Sequence, residues 1–107
     1  MRIRKADQNE DSRAQRLAKI SDALAHTARI EMFQYIMKCN TARTPVRNKD
    51  LVAAFPYSQA TVSQHLNKLV IGGLIEARQE GTSTMYYANI GALAQYTDLL
   101  RMMTIPE

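Results

Sequence analysis

The polar residues with the clearest chemical pattern lie between Ser58 and Lys68. They share amide, hydroxyl or ammonium groups and fall on one side of an amphipathic segment: Gln59, Thr61, Ser63, Gln64, Asn67 and Lys68. Glutamine and asparagine donate and accept hydrogen bonds together, so they can pair with adenine in bidentate fashion, while hydroxyl groups can contact bases or phosphates. No acidic residue lies between Asp50 and Glu76. This composition indicates a surface that meets a polyanion such as DNA.

These residues need a helix that presents them together, and the pattern predicts one from Gln59 to about Ile71. The opposite side of this helix carries apolar residues at spacings of one, three or four: Val62, Leu66, Leu69 and Val70. Ser58 is a natural N-cap, and its neighbouring free amides form a positive pole that suits a phosphate. The glycine pair Gly72-Gly73 ends the helix, because glycine tolerates left-handed geometry.

A short helix precedes this one and is predicted from Lys49 to Phe55, with Asn48 as its N-cap. Pro56 ends it, since proline disfavours helical geometry at the residue before it. Only Pro56 and Tyr57 separate the short helix from Ser58. Two helices joined by so tight a turn are typical of a helix-turn-helix, whose second helix enters the major groove of DNA.

Two strand-like runs, residues 74–78 and 84–88, follow the second of these helices. Residues 79–83 contain Gly81, so we expect a β-hairpin with a longer loop between the runs. In the pair Tyr86-Tyr87, one ring should face inward and the other outward. A hairpin in this place predicts a winged helix-turn-helix.

Three further helices complete the predicted fold. The first begins after Ser12, which forms a capping box with Gln15, the second runs from about Thr27 to Lys38, and the last from about Gly91 to Met103. The fold class is therefore mainly α with a small β-hairpin. We expect residues 1–11 to form a mobile N-terminal tail and residues 12–107 to form the winged-helix DNA-binding and dimerisation domain.

Composition narrows the function classes. The chain has 107 residues, a net charge of +4, 46% hydrophobic residues and one cysteine. Its longest apolar run, residues 51–55, is far shorter than the ~20 residues that span a bilayer. We therefore expect a small, soluble, cytoplasmic protein with no membrane partner. A nucleophile elbow, a phosphate-binding glycine loop and a convincing carboxylate pair are all missing, so the sequence does not indicate an enzyme.

Three segments of the sequence resemble those of a known family. The segment from Ser58 to Leu69 resembles the recognition-helix motif of the ArsR-type (ArsR/SmtB) winged-helix transcriptional regulators. The segment from Leu24 to Ile30 is similar to the family's entry into its second helix, and residues 73–78 with Gly81 and the tyrosine pair resemble its wing. The resemblance covers roughly residues 17 to 100.

The resemblance implies a homodimeric, usually repressing protein that binds imperfect inverted repeats in double-stranded promoter DNA. The residues that it implies for base reading are Gln59, Thr61, Ser63 and Gln64. The residues that it implies for phosphate contacts are Ser58, Lys68, Arg78, Thr82 and Ser83. Family members pair through their first and last helices, which implies a dimer interface of Leu17, Ile20, Leu24, Leu93, Tyr96, Leu99, Leu100 and Met103.

Many members of this family sense metals, and here the chain departs from the pattern. Residues 49–52 hold no thiol where one family site has cysteines, and the last helix offers Asp98 without a histidine. With His26, His65 and Cys39 as its soft ligands, the chain is not expected to hold a closed zinc site or a cofactor. Cys39 is interpreted as a packing residue, with two alternatives: a redox role, by pairing between subunits or by oxidation of the single thiol, or a metal role. The inducing signal is not indicated by any residue.

The distribution of charge leaves a second function class open. Residues 12–49 hold eight basic and two acidic side chains, whereas residues 50–107 hold three basic and five acidic ones. The expected recognition helix, from Gln59 to about Ile71, is thus not in the more basic part of the chain. The wing tip also lacks the arginine that the family often has there. Either phosphates are then contacted more weakly, or the phosphate contacts come from Arg43, Arg47 and Lys49 around the preceding helix. The alternative function is a winged-helix module that binds a protein through the same face.

Three residues near the helix junctions have more than one interpretation. His26 is expected to cap or pack at the start of the second helix, and Arg29 to join two helices through an ion pair rather than contact DNA. His65 lies beside the core residue Leu66, and packing, a phosphate contact and base reading all remain open for it.

Overall fold

The structure, a computed structural model, describes residues 12–106, and along them lie five helices and one hairpin. In chain order these elements are α1 (Arg13–Leu24), α2 (Thr27–Thr41), α3 (Asn48–Ala54), α4 (Gln59–Ile71), β1 (Ile75–Glu80), β2 (Ser83–Ala88) and α5 (Ile90–Met102). The predicted fold class, a winged helix-turn-helix that is mainly α, is confirmed. The tail expected at residues 1–11 lies outside the described residues.

Local capping signals set most of the helix starts. Ser12 and Gln15 form the predicted capping box, with N–O distances of 2.9 and 3.1 Å. The hydroxyl of Ser58 accepts a hydrogen bond from the N–H of Thr61 at the start of α4. The Nδ1 atom of His26 accepts one from the N–H of Ala28, so His26 caps α2 as expected. These bonds satisfy amides that have no partner inside the helix.

The start of α3 differs from the prediction. The helix begins at Asn48 rather than after it, and Arg47 occupies the cap position. The carboxylate of Asp50 accepts a hydrogen bond from the N–H of Arg47 at 2.8 Å, so the third helical residue supplies the cap. Asn48 is therefore not the N-cap, and its side chain is available for a contact with another helix.

The hairpin is tighter than expected. β1 and β2 pair antiparallel, with Glu80 opposite Ser83, so the loop contains only Gly81 and Thr82. The prediction of a longer loop over residues 79–83 was wrong, because strand pairing continues through Gln79 and Thr84. Gly81 has a φ of 66°, and glycine at the first loop position is typical of a type II′ turn.

The hairpin is fixed to the helices through the end of α2. The side-chain amide of Asn40 accepts a hydrogen bond from the N–H of Ala88 and donates one to the carbonyl of Tyr86. The N–H of Tyr86 donates to the carbonyl of Val46, at 2.9 Å. The wing therefore has a defined position relative to α2 and to the segment that leads into α3.

The hydrophobic core lies between the helices and takes side chains from each helix and from the first residue of the wing. Its members include Ile20, Met32, Phe33, Ile36, Val46, Leu51, Val62, Leu66, Leu69, Leu74, Ile75 and Leu99. Val70 was expected inside but is 36% exposed, and His65 takes an inner position instead. The reason is geometric: each four-residue step turns about 40° past a full helical turn, so in the series Val62, Leu66, Val70 the last residue lies off the inner side.

The end of α4 packs closely on α1. A Cβ atom added to Gly72 would lie 2.4 Å from the Cβ of Ala23, so a side chain at Gly72 has no space. Gly73 has a φ of 78°, which favours glycine where the chain turns toward β1. Within residues 12–106, none of the helices has both the length and the apolar character that a bilayer span requires.

Candidate nucleic-acid interface

The outer side of α4 carries the predicted DNA-contacting residues. The side chains of Ser58, Gln59, Ser63, Gln64, Asn67 and Lys68 are exposed, and that of Thr61 is half-buried. On the opposite side, Val62, His65, Leu66 and Leu69 are buried. The burial of this inner side orients α4, and the amide-rich side consequently faces solvent.

The polar side chains on this outer side differ in whether they have a hydrogen-bond partner within the described residues. Ser58 and Thr61 bond to each other, since the Ser58 hydroxyl donates to Oγ1 of Thr61 at 3.1 Å. The side chains of Gln59, Gln64 and Asn67 make no hydrogen bond to any other residue in the range 12–106. Their donors and acceptors are therefore available to water or to a ligand.

A groove of about 550 Å³ lies between α3, the first half of α4 and the hairpin. The structure brings five predicted contact residues together around it: Gln59, Ser63 and Ser83, together with Arg47 and Lys49. Its other lining residues are Asn48, Val52, Thr84 and Tyr86. Arg47 lies 3.8 Å from the carboxylate of Asp50. We call this space the α3–wing groove; its basic groups come from α3 and the residue before it.

Asn48 is a groove residue that sequence reasoning missed. Its Nδ2 donates a hydrogen bond to Oγ of Ser63 at 2.8 Å and so joins α3 to α4. Its Oδ1 is buried and has no hydrogen-bond partner in the described part of the chain. The signal that could have revealed it is Asp50, because an acidic residue three positions after Arg47 marks Arg47 as the cap.

Thr84 is a second missed groove residue, and the alternation of the hairpin explains its position. Thr84 and Tyr86 face the groove. Tyr87 lies on the opposite face, where the Cζ atom of Arg78 is 4.3 Å from the centroid of the Tyr87 ring. This confirms that one ring of the tyrosine pair packs inward and the other outward. The hydrogen bond to Glu80 raises the pKa of the Tyr87 hydroxyl.

Of the residues that the resemblance implies for phosphate contacts, Ser58, Lys68, Arg78 and Thr82 do not line the groove. Arg78 is on the outer face of the wing, where its Nε lies 3.1 Å from Oε1 of Glu76. Thr82 lies at the exposed turn of the hairpin. Lys68 faces α1, with its Nζ 3.9 Å from the carboxylate of Asp22. Both charged residues would have to exchange an exposed intramolecular partner for a phosphate.

The predicted dimer residues divide by burial. Ile20 and Leu99 belong to the core of the subunit, at 5% and 4% exposure. Four others, Leu17, Leu24, Leu93 and Tyr96, are half-buried against that core, while Leu100 and Met103 are exposed. The hydroxyls of Ser21 and Tyr96 are 3.0 Å apart and join α1 to α5. An apolar groove of about 190 Å³ lies between these two helices.

Arg29 lies beneath α4 and joins three helices. Its guanidinium donates to the carbonyls of Ala23 and Asp22 at the end of α1, at 2.8 and 3.1 Å. It also lies 3.3 Å from Nδ1 of His65 on α4. The expected link between helices is therefore present, but it uses carbonyls and a histidine instead of an ion pair.

His65 faces the interior, so base reading is excluded for it. Its ring centroid lies 4.7 Å from that of His26 and 6.0 Å from that of Tyr57. Burial, together with the charges of His26 and Arg29, lowers the pKa of His65 below its usual value. Along the described stretch 12–106, no three His, Cys, Asp or Glu side chains are grouped closely enough to hold a metal ion.

Comparison with known proteins relates this geometry to a family. The family model of bacterial regulatory proteins of the arsR family matches residues 42–77, which include the helix-turn-helix and the start of the wing. The structure of an ArsR-like transcriptional regulator from Rhodococcus sp. RHA1 is similar at a TM-score of 0.72 and 25% identity, covering 83% of this chain and 79% of that one. No curated protein matches the chain in sequence.

Two further structures share the fold. A possible transcriptional regulator for arsenical resistance has a TM-score of 0.66 and 26% identity, covering 82% of this chain and 86% of that one. A homodimeric winged helix-turn-helix DNA-binding domain from Mycobacterium bovis has a TM-score of 0.66 and 23% identity, covering 97% and 88%. The match of the family model to the helix-turn-helix, together with the shared architecture, confirms the resemblance of this chain to the ArsR-type winged-helix transcriptional regulators.

Proposed function

We propose that the chain is a homodimeric repressor that binds inverted repeats in promoter DNA through the outer side of α4. The observation that carries this proposal is the exposed amide-bearing side of α4, where the side chains of Gln59, Gln64 and Asn67 make no hydrogen bond to another described residue. Such side chains contribute little to folding, and they have the donor and acceptor pairs that base edges in the major groove require.

In this proposal the DNA-contacting residues fall into two groups. Gln59, Ser63 and Gln64 read bases, with Thr61 supporting the start of the helix as well as reaching toward the groove of the DNA. The phosphate contacts come from residues around the α3–wing groove and from flanking positions: Ser58, Arg47, Lys49, Lys68, Arg78, Thr82 and Ser83. The positive charges at Arg47 and Lys49 compensate for a wing tip that carries Glu80.

The proposed dimer interface uses α1 and α5. Leu100 and Met103 are exposed by 45% and 68%, beside the half-buried Leu17 and Leu93, and exposed apolar patches mark interaction surfaces. Ile20 and Leu99 support this interface from within the core. The similar domain from Mycobacterium bovis is a homodimer. A twofold dimer presents its recognition helices to half-sites about 34 Å apart, which predicts an inverted repeat.

The proposal is tested by selecting DNA fragments from the source genome on the purified protein and sequencing those that are retained. We expect promoter fragments with an inverted repeat, and affinity that falls with salt by about 0.9 log units per log unit for each phosphate neutralised. Transcription from a selected promoter should fall when the protein is added. If micromolar protein retained no fragment at low salt, the protein-interaction module would become the better interpretation.

A further inference from the structure

The inner side of α4 contains a histidine in an unusual setting. His65 is 9% exposed and lies among apolar core residues of the same helix. Three groups face it: Arg29 of α2, His26 at the cap of α2, and Tyr57 in the turn before α4. None of these three groups is an anion at neutral pH, so nothing beside the ring compensates a positive charge on it.

The contact with Arg29 determines which form of the ring the site accepts. A guanidinium has only donors and stays protonated, so Nδ1 of His65 must accept the hydrogen bond at 3.3 Å. The ring is therefore neutral, with its proton on Nε2. A protonated ring has donors at both nitrogens, which would remove this bond and place two cations in contact.

The same arginine connects this ring to the end of α1. Because Arg29 also donates to the carbonyls of Ala23 and Asp22, its position depends on α1 and α4 together. The pair Lys68–Asp22 lies across the same two helices, on the exposed surface. The contact between Arg29 and His65 is thus one of the links that hold α4 against α1 and α2.

We propose that His65 is a positioning residue for DNA binding: as a neutral ring it holds α4 through Arg29, and its protonation weakens DNA binding. This inference rests on the proposed DNA-binding function. Burial, and after it the charges of His26 and Arg29, lowers the pKa of His65. Affinity should therefore be lost in mild acid, at a pH below the usual histidine pKa of about 6.5. The sign is diagnostic, because extra positive charge by itself strengthens binding to DNA.

The experiment measures affinity for a fluorescent duplex carrying a selected genomic fragment, and for a random duplex, between about pH 7.5 and pH 5.5. A single group whose pKa lies below about 6.5 changes an equilibrium constant by less than about tenfold between these two pH values, so we expect the intact protein to lose affinity by up to about tenfold per subunit. His65→Asn keeps an acceptor near the position of Nδ1 and cannot titrate, so it should lose this acid sensitivity. His26→Asn keeps a helix cap and is the matched control; it should retain the sensitivity.

A second measurement covers the case in which His65→Asn fails to fold. Nuclear magnetic resonance of the intact protein follows the His65 ring, and we expect it to titrate below the usual histidine value, together with the loss of affinity. Affinity that is constant or rises in acid, or a His65 ring that titrates at or above the usual value, would overturn the positioning role alone. Absence of binding to both duplexes at every pH would overturn the proposed function as well.

Discussion

The two sides of α4 use their side chains in opposite ways. On the inner side, Val62, Leu66 and Leu69 are 0–2% exposed, and the one polar group, His65, is bonded to Arg29. On the outer side, the side chains of Gln59 and Gln64 are exposed and make no hydrogen bond to another residue in the range 12–106. The inner side therefore determines stability and orientation, while the outer side is available for recognition. Substitutions on the two sides should separate these properties.

The largest expected effect is on the inner side. Leu69→Ala removes a fully buried side chain and should lower the free energy of unfolding by about 2–5 kcal/mol, because it loses burial and leaves a cavity. Urea denaturation measures this change. A loss below about 0.5 kcal/mol, typical of a surface site, would contradict the packing assigned to this side.

A smaller loss of stability is expected where α4 ends against α1. Gly72→Ala places a methyl group 2.4 Å from the Cβ of Ala23, so the helices must separate, at a cost of about 1–3 kcal/mol. Gly91→Ala in α5 is the matched control, since the added Cβ atom would lie 3.4 Å from its nearest neighbour, Oδ1 of Asn89. The control should be neutral or more stable by up to about 1 kcal/mol. Equal thermal melting shifts in both variants would show that α4 and α1 are not in close contact.

On the outer side the effect should appear in binding alone. Gln64→Ala should weaken binding to the selected fragment by roughly 1–3 kcal/mol, because a base-reading amide is lost, with unfolding changed by less than about 0.5 kcal/mol. Fluorescence anisotropy with selected and random duplexes measures the difference. Lys68→Ala serves as the comparison and should weaken both duplexes alike. If Gln64→Ala also weakened both equally, Gln64 would not read bases.

The smallest effect concerns the contact that aligns the two helices of the motif. Asn48→Ala removes the donor to Ser63 and should weaken binding to the selected fragment by up to about 1 kcal/mol. Because the lost bond also involves Ser63, Asn48→Ala and Ser63→Ala should not be additive in a double-mutant cycle. Additive losses would mean that Asn48 does not orient Ser63.

Sequence reasoning predicted the elements that depend on local signals. The caps at Ser12 and Ser58 each involve residues three apart, and the left-handed residue just after the helix end, Gly73, follows from glycine itself. The amphipathic pattern also gave the outer side of α4. These features need no knowledge of distant parts of the chain, and the burial of α4 agrees with them.

The features that were missed depend on contacts between distant segments. Whether His65 or Val70 faces inward is decided by how α4 sits on α1 and α2, and Asn48 reaches Ser63, fifteen positions away. The two-residue loop reflects cross-strand pairing of Gln79 with Thr84. The pairing of Lys68 with Asp22 likewise joins α4 to α1. A pattern along one segment does not contain this information.

The most direct test of the central claim is a hydroxyl-radical footprint on a selected genomic fragment, made with the intact protein and with Gln64→Ala. The two proteins are compared at concentrations at which they bind random DNA to the same extent. The proposal predicts two protected half-sites on one face of the duplex, about one helical turn apart, that fade in the variant. Protection spread evenly along the fragment, or a footprint that the variant reproduces in full, would contradict base reading by the outer side of α4.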